Sequence, residues 1–436
     1  MIYKLEDIDK KKALEKLPKE VKRTAIIVGL ILAGSSIFGY FEASFFNTYL
    51  DHVLNLPFYY ISIMVSLSAA MGLIFMIIWG IKSDNTRSKL GRRKPYLFFG
   101  FVMGIAMIAF AFAENFLMCI ILDVIIIGIA SNAYYVAQRS FIPDLIEPEH
   151  RGRANGIAGV FGNIGLLTAI ALTIIANELF TVKRGTGNII TREGHLFLFI
   201  VGGGGVMICA VIGLIFISEA SPSDLPPKKA FMLDLKEMFN IEEFRQNKQF
   251  YRIVFAQTIF RAHIYVVLPF LFNYLFSLAL TTLEFLLVII ISFPVILGVM
   301  MLLGKFADKY GRKTSIVPGI LIACVGFFMM PFATLTPGYK MIILLIAMPL
   351  VLMGLLGLEV PLAAWSQDLL PEDKRGKFIG ILNLVSTISQ IIGATVGGIV
   401  ATLYGLPWVF AFAPIFLILS IFLFKRVEET LKSNDI

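Results

Sequence analysis

The chain has 436 residues, 58% of them hydrophobic and 16% charged, against about 45–50% and 25% in a soluble domain. That balance excludes an ordinary soluble enzyme. At about 20 residues per helical span, the length accommodates roughly a dozen transmembrane helices. The formal net charge of +8 would point to nucleic acid in a soluble protein, so its meaning depends on where the charges sit.

The first 23 residues are charged and include Lys10, Lys11 and Lys12. No apolar run with a small-residue cleavage site precedes the first long apolar segment, so the first helix is expected to target the chain. Apolar runs long enough to span follow at 24–50, 58–80, 96–113, 117–142, 154–177 and 195–217. After a polar stretch at 218–250, six more occupy 251–276, 283–304, 314–332, 341–366, 378–403 and 407–424, before a tail at 425–436. The expectation is an all-α membrane protein of two six-helix halves (24–217 and 251–424) joined by a linker whose 231–244 segment looks amphipathic.

An even number of spans places both termini on one side. Of the 38 Lys and Arg, only Lys183, Arg184, Arg192 and Lys340 lie in the loops of the opposite side, and Arg261 lies deep inside a span. The positive-inside rule therefore places both termini in the cytoplasm of a multi-pass plasma-membrane protein. The net charge is topology, with no nucleic-acid partner implied; contact with anionic lipid is a secondary possibility. Cys119, Cys209 and Cys324 each sit in an apolar run and read as small core residues.

The halves repeat. Gly80 and Asp84, followed by Arg92 and Arg93, match Gly304 and Asp308, followed by Arg312. Asp144 and Arg151 match Asp368 and Arg375. Gly80, Asp84, Asp144, Arg151 and Gly152 each recur 224 residues later. Gly80 and Gly304 are expected to let helices approach closely. The charged residues are expected to form an ionic latch that shuts the cytoplasmic side while the outside is open; the alternative is loop charge that only fixes topology.

The doubled Gly-x-x-x-Asp…Gly-Arg pattern resembles the signature of the major facilitator superfamily over essentially the whole chain. That resemblance implies two pseudo-symmetric six-helix bundles around a central cavity worked by alternating access. Within it, Phe38 to Ala43, the loop Ser83 to Tyr96, and Gln138-Arg139-Ser140-Phe141-Ile142-Pro143-Asp144-Leu145 resemble the sucrose-carrier-like and glycoside-pentoside-hexuronide symporters. The resemblance implies a role in proton-coupled sugar binding for Arg139, with Asn132 matching seven residues earlier. The sequence departs where those carriers place an aspartate 11 residues before the arginine: Gly128 stands there, and the acid is Asp123. The second span has Ser62, Ser66 and Ser68 but none of the aspartates of sodium-coupled relatives, which favours protons.

Charges at bilayer depth cost about 2.5–3.5 kcal/mol, so each needs a reason. Glu42, Asp123, Arg261 and Glu359 are four such charges, expected on the cavity-lining spans one, four, seven and ten. Arg261 is expected near the midplane, with Gln257, Thr258 and Tyr265 on its face and one of the three acids as its partner. A carboxyl beside a cation in a wet cavity suits proton coupling; a static buried pair is the alternative. Arg139 falls near the cytoplasmic edge, where it either snorkels or serves the site with Asn132 and Tyr135. Tyr40, Phe45, Phe46, Tyr134, Tyr135 and Trp365 are candidates to stack on a sugar, and Asn383, Ser386, Thr387 and Gln390 form a polar face on span eleven. Gly156, Gly159, Gly162 and Gly165 suggest tight packing of span five.

No nucleotide loop, metal cluster or nucleophile triad occurs, so no enzyme, cofactor or metal is expected. The sequence points to a monomeric proton-coupled symporter for a di- or oligosaccharide or glycoside. The alternatives are an organic-anion or drug carrier that uses Arg261, a non-transporting receptor, and a membrane-embedded enzyme.

Overall fold

The computed structural model describes residues 17–219, 247–370 and 375–430, without the side chains of 375–381, 383 and 384. Most of the expected linker, including its amphipathic segment, lies outside the described residues, as do 1–16 and 431–436.

Among the described residues, twelve helices follow the apolar runs. The first half holds α1 (Lys19–His52), α2 (Tyr59–Asp84), α3 (Lys94–Phe110), α4 (Phe116–Leu145), α5 (Pro148–Phe180) and α6 (Arg192–Phe216). The second holds α7 (Lys248–Ser277), α8 (Thr282–Tyr310), α9 (Arg312–Leu335), α10 (Pro337–Asp368), α11 (Arg375–Tyr404) and α12 (Leu406–Phe424). Eleven are long and apolar enough to cross a membrane; α3 is shorter, at about 25 Å for a rise of 1.5 Å per residue. Helix α1 starts at Lys19, so the charged tail is in part helical.

Local chemistry sets the ends. Asn115 and Thr191 accept the backbone N–H groups of Met118 and Gly194 to start α4 and α6. Thr281 and Glu284 close a capping box on α8. The fold is all-α as expected, with one small extramembrane element: strands β1 (Thr181–Arg184) and β2 (Gly187–Ile190) form an antiparallel hairpin between α5 and α6. The Gly185 turn allows it, with φ of +61°.

The halves pack alike. Helix α1 lies on α5 and α6 as α7 lies on α11 and α12, and α3 meets α6 as α9 meets α12. Across the halves, α2 meets α11 and α5 meets α8. Residues such as Leu297, Met301 and Leu302 on α8 remain exposed, which suits contact with lipid chains.

The close-packing role expected of two glycine sets needs correcting. A Cβ at Gly80 would meet nothing within 4 Å, and one at Gly304 would make an ordinary 3.6 Å contact with Val360. Gly165 is different: its Cβ would lie 2.9 Å from the Ala33 Cα, so α5 and α1 meet there backbone to backbone. Gly162 also faces α1, whereas Gly156 and Gly159 face open space, so half of that stripe packs.

Candidate functional site

A cavity of about 430 Å³ lies between the halves, walled by α1, α2, α4, α7 and α11. Span ten, expected on its wall, contributes none of the lining, while α2 and α11 do. Glu42 enters from α1, and Asp123, Asn132, Tyr135 and Arg139 from α4. Tyr265 comes from α7 and Gln390 from α11.

Asp123 reaches the wall through an irregularity. In an unbroken α-helix the nine residues from Asp123 to Asn132 turn about 900°, leaving the two on opposite faces. Here residues Ile121–Ile127 form a π-helical turn, and the Gly128 N–H donates to the Asp123 carbonyl five residues back. Asp123 therefore sits one wide turn from Gly128, on the same wall. Its carboxylate accepts from Ser68 Oγ of α2 at 2.6 Å, and the Asn132 amide donates to the Gly128 carbonyl at 2.8 Å. Asp123 is 5% exposed and interacts electrostatically with Glu42. Tyr135 feels both Glu42 and Arg139. Arg139 is exposed to the cavity and makes no ion pair among the described residues.

Of the four intramembrane charges, Glu42 and Asp123 line the cavity, whereas Arg261 and Glu359, expected there too, stand apart from it. Of the three acids, Glu359 is the partner of Arg261, in a two-pronged pair at 2.9 Å (Nε–Oε1) and 2.8 Å (Nη2–Oε2). Its Nη1 donates to Ser386 Oγ of α11 at 2.7 Å. A second π turn, Met353–Gly357, stands just before Glu359. The side chains are 18% and 27% exposed, and neither is among the cavity lining. The pair staples α7, α10 and α11.

Gln257 is fully buried, donating to the Leu362 carbonyl at 3.2 Å and to Ser366 Oγ, so it joins α7 to α10 rather than facing the cavity. Thr258 bonds its own helix. Trp365 is also buried, with Nε1 on the Glu428 carbonyl at 3.0 Å, and Tyr134 and Phe45 are buried core. Phe46 and Thr387 do line the cavity, while Tyr40 packs edge-on to Phe272 across the halves. The side chain of Asn383 lies outside the described residues.

The two ends of the molecule differ. At the end carrying the hairpin, Asp51 is a hub: it accepts from Arg184 Nη2 at 2.6 Å and from Asn273 Nδ2 of α7 at 3.0 Å. Asn188 donates to the Leu280 carbonyl at 3.4 Å, and Thr282 bonds both Asn177 and Glu178. Arg184 fixes Asp51 within the first half, and the other bonds tie half to half. Alanine at Asp51 is expected to loosen that closure: a cysteine placed at Leu280 gains several-fold in reactivity toward an impermeant maleimide. An unchanged rate would show that the closure does not depend on Asp51.

At the other end, the doubled ionic blocks pair within each half. Arg93 Nη2 and Arg92 Nη2 each lie 2.5 Å from Asp84 Oδ1, and Arg93 Nε lies 2.8 Å from Asp144. In the second half Arg312 pairs with Asp308 and, at 3.2 Å, with Asp368. Instead of one bridge across the halves, there are two clusters. Arg151 differs from its expected ionic role, donating to the Ile146 and Pro143 carbonyls at the end of α4. The Arg375 side chain lies outside the described residues.

Sequence reading missed two carboxylates here. Glu219 accepts the N–H groups of Arg92, Arg93 and Lys94, capping α3. Glu429 does the same for Arg312 and Lys313 on α9. Both sit against a positive-φ glycine, Gly91 at +112° and Gly311 at +104°. They follow spans six and twelve at a spacing other than 224, so the repeat offset hid them.

The chain matches the Major Facilitator Superfamily over residues 24–360 and 350–436, and it belongs to that family. Its members are carriers rather than enzymes. Solved structures similar in fold include the nucleoside transporter NupG (D323A mutant; TM-score 0.73, 12% identity, 93% of this chain and 99% of that one). A bacterial homologue of the human lysosomal transporter Spinster, inward-facing and unoccupied, gives a TM-score of 0.67 at 15% identity over 93% and 95% of the two chains. A D-xylose-proton symporter gives 0.64 at 18% over 95% and 98%. A class H tetracycline resistance protein of Pasteurella multocida is 28% identical over 132 residues, 29% of this chain and 31% of that relative.

Proposed function

We propose that the chain is a proton-coupled symporter of a sugar or glycoside, resembling the sucrose-carrier-like group, that works by alternating access in the plasma membrane. The observation that carries the reading is the charge set of the cavity: Glu42, Asp123 and Arg139, without a bonded counter-ion for Arg139 among the described residues. Two carboxylates and one guanidinium leave the site one positive charge short of neutrality. A proton supplies it, and a neutral polyol then enters without a charge of its own. Tyr135, Tyr265, Asn132 and Gln390 offer the rings and hydrogen-bonding groups that such a solute needs.

The Lys- and Arg-rich end is assigned to the cytoplasm together with both termini. The hairpin is then external, and its bonds support an inward-open state with the ionic clusters released into their own halves. Alanine at both Asp84 and Asp308 is expected to slow transport at least roughly tenfold, about 1.4 kcal/mol, with insertion unchanged. Undiminished transport by the inserted double variant would remove the clusters from the mechanism.

Uptake into proteoliposomes under an imposed pH gradient, against a panel of sugars, nucleosides and organic anions, tests the substrate class. Sugar accumulation that a protonophore abolishes supports the reading. The unpaired Arg139 favours one alternative, an organic-anion carrier with the substrate carboxylate on that guanidinium. Uptake of carboxylates but not sugars would establish that reading instead.

A further inference from the structure

At the end opposite the hairpin, two surface grooves repeat one pattern that the transport cavity does not use. The first, of about 360 Å³, lies between the start of α1 and the end of α6 and is lined by Lys19, Lys22, Arg23, Ile26, Ile27 and Phe216. The second, of about 450 Å³, lies between the start of α7 and the end of α12 and is lined by Lys248, Tyr251, Arg252, Phe255, Leu423 and Arg426. Lys19, Lys22, Arg23 and Ile26 have the spacing i, i+3, i+4, i+7, and so do Lys248, Tyr251, Arg252 and Phe255. That spacing sets four residues on one helix face. Each half thus presents a cationic face at the same junction of its first and sixth helices; Tyr251 stands in the place of Lys22, and Arg426 supplies the third charge of the second groove.

The cations are exposed, and Lys19, Lys22, Arg23, Lys248, Arg252 and Arg426 enter no ion pair among the described residues. Arg252 only donates to the Arg426 carbonyl, at 3.4 Å. Glu428, the nearby acid, is taken up by Gln249. Beside the cations stand large exposed apolar side chains, Phe216 at 49% and Phe255 at 58%. Three positive charges over an apolar floor fit a ligand with an anionic head and acyl chains; a free phosphate has no use for the floor.

We infer that these two grooves are paired binding sites for anionic phospholipid, one on each half, with the headgroup phosphate on the Lys and Arg cluster and the chains along the exposed phenylalanine. Basic pockets between transmembrane helices bind such headgroups, and each Lys or Arg near an anionic surface contributes about 1 kcal/mol, roughly fivefold in affinity. A lipid seated there holds the first and sixth helices of its half together at the membrane boundary.

The test is native mass spectrometry of the full chain in detergent, with added dioleoyl phosphatidylglycerol, dioleoyl phosphatidylcholine or inorganic phosphate. Two phosphatidylglycerols are expected per chain, neither displaced by phosphatidylcholine nor by phosphate. K19Q/K22Q/R23Q is expected to keep one, K248Q/R252Q/R426Q the other, and the sixfold variant none, with affinity at each altered groove down about a hundredfold. K305Q/K309Q removes two charges from the same end outside the grooves and is expected to keep both lipids. Single variants R23Q and R252Q, each with about a fivefold loss at one site, give the answer where a triple variant does not fold. Unchanged lipid counts, an equal loss in K305Q/K309Q, or displacement by phosphate would overturn the assignment.

Discussion

Glutamine at Glu42, or asparagine at Asp123, is expected to abolish pH-driven accumulation while leaving substrate exchange intact. Each amide keeps the shape of the side chain but removes a carboxyl that takes up a proton. One pH unit is worth about 1.36 kcal/mol per proton, so a gradient of two units supports roughly a hundredfold accumulation by a one-proton carrier. In the amide variant that collapses to equality across the membrane. Exchange of labelled for unlabelled substrate needs no net proton movement and continues. Because Ser68 donates to Asp123 at 2.6 Å, Ser68→Ala is a milder companion, expected to shift the pH dependence of uptake without abolishing it. Full pH-driven accumulation by both amide variants would exclude the carboxyl pair as the coupling site.

The second large effect is on stability. Arg261 and Glu359 are largely sheltered and bond each other through both prongs of the guanidinium. Removing one partner, as in Glu359→Met, strands the other charge, which costs about 3–5 kcal/mol in comparable buried pairs. The melting temperature of the purified carrier is expected to fall by at least about 5 °C. Arg261→Met combined with Glu359→Met removes both charges and is expected to recover most of that loss. The double variant is also expected to accumulate substrate under a pH gradient, because the cavity residues are untouched. Loss of coupling in a double variant of normal stability would move the proton site to this pair.

Much of this was legible in the sequence, for physical reasons. Twelve apolar runs give twelve helices because lipid leaves the backbone no other way to satisfy its polar groups. The 224-residue repeat placed the Asp84 and Asp308 clusters because short loops at that end keep their spacing in both halves. The intramembrane charges stood out by their cost. What periodicity could not supply was their phase. A regular helix would have turned Asp123 away from Asn132, and the π turn that brings it round leaves no apolar signature. For the same reason Arg261 did not disclose which acid would meet it, and Gln257, on the expected polar strip, proved to be a buried tie to α10. The hub at Asp51 was hidden because it depends on a hairpin folding back onto the end of α1, where Asn273 of the second half also arrives.

In the proposed cycle, sugar and proton move together in one direction. The deciding measurement adds sugar outside proteoliposomes that hold no pH gradient and carry a pH dye inside. Acidification of the lumen that follows sugar entry, and that is absent in Glu42→Gln, is the predicted result. Sugar entry at a constant internal pH, or alkalinisation of the lumen, would contradict it.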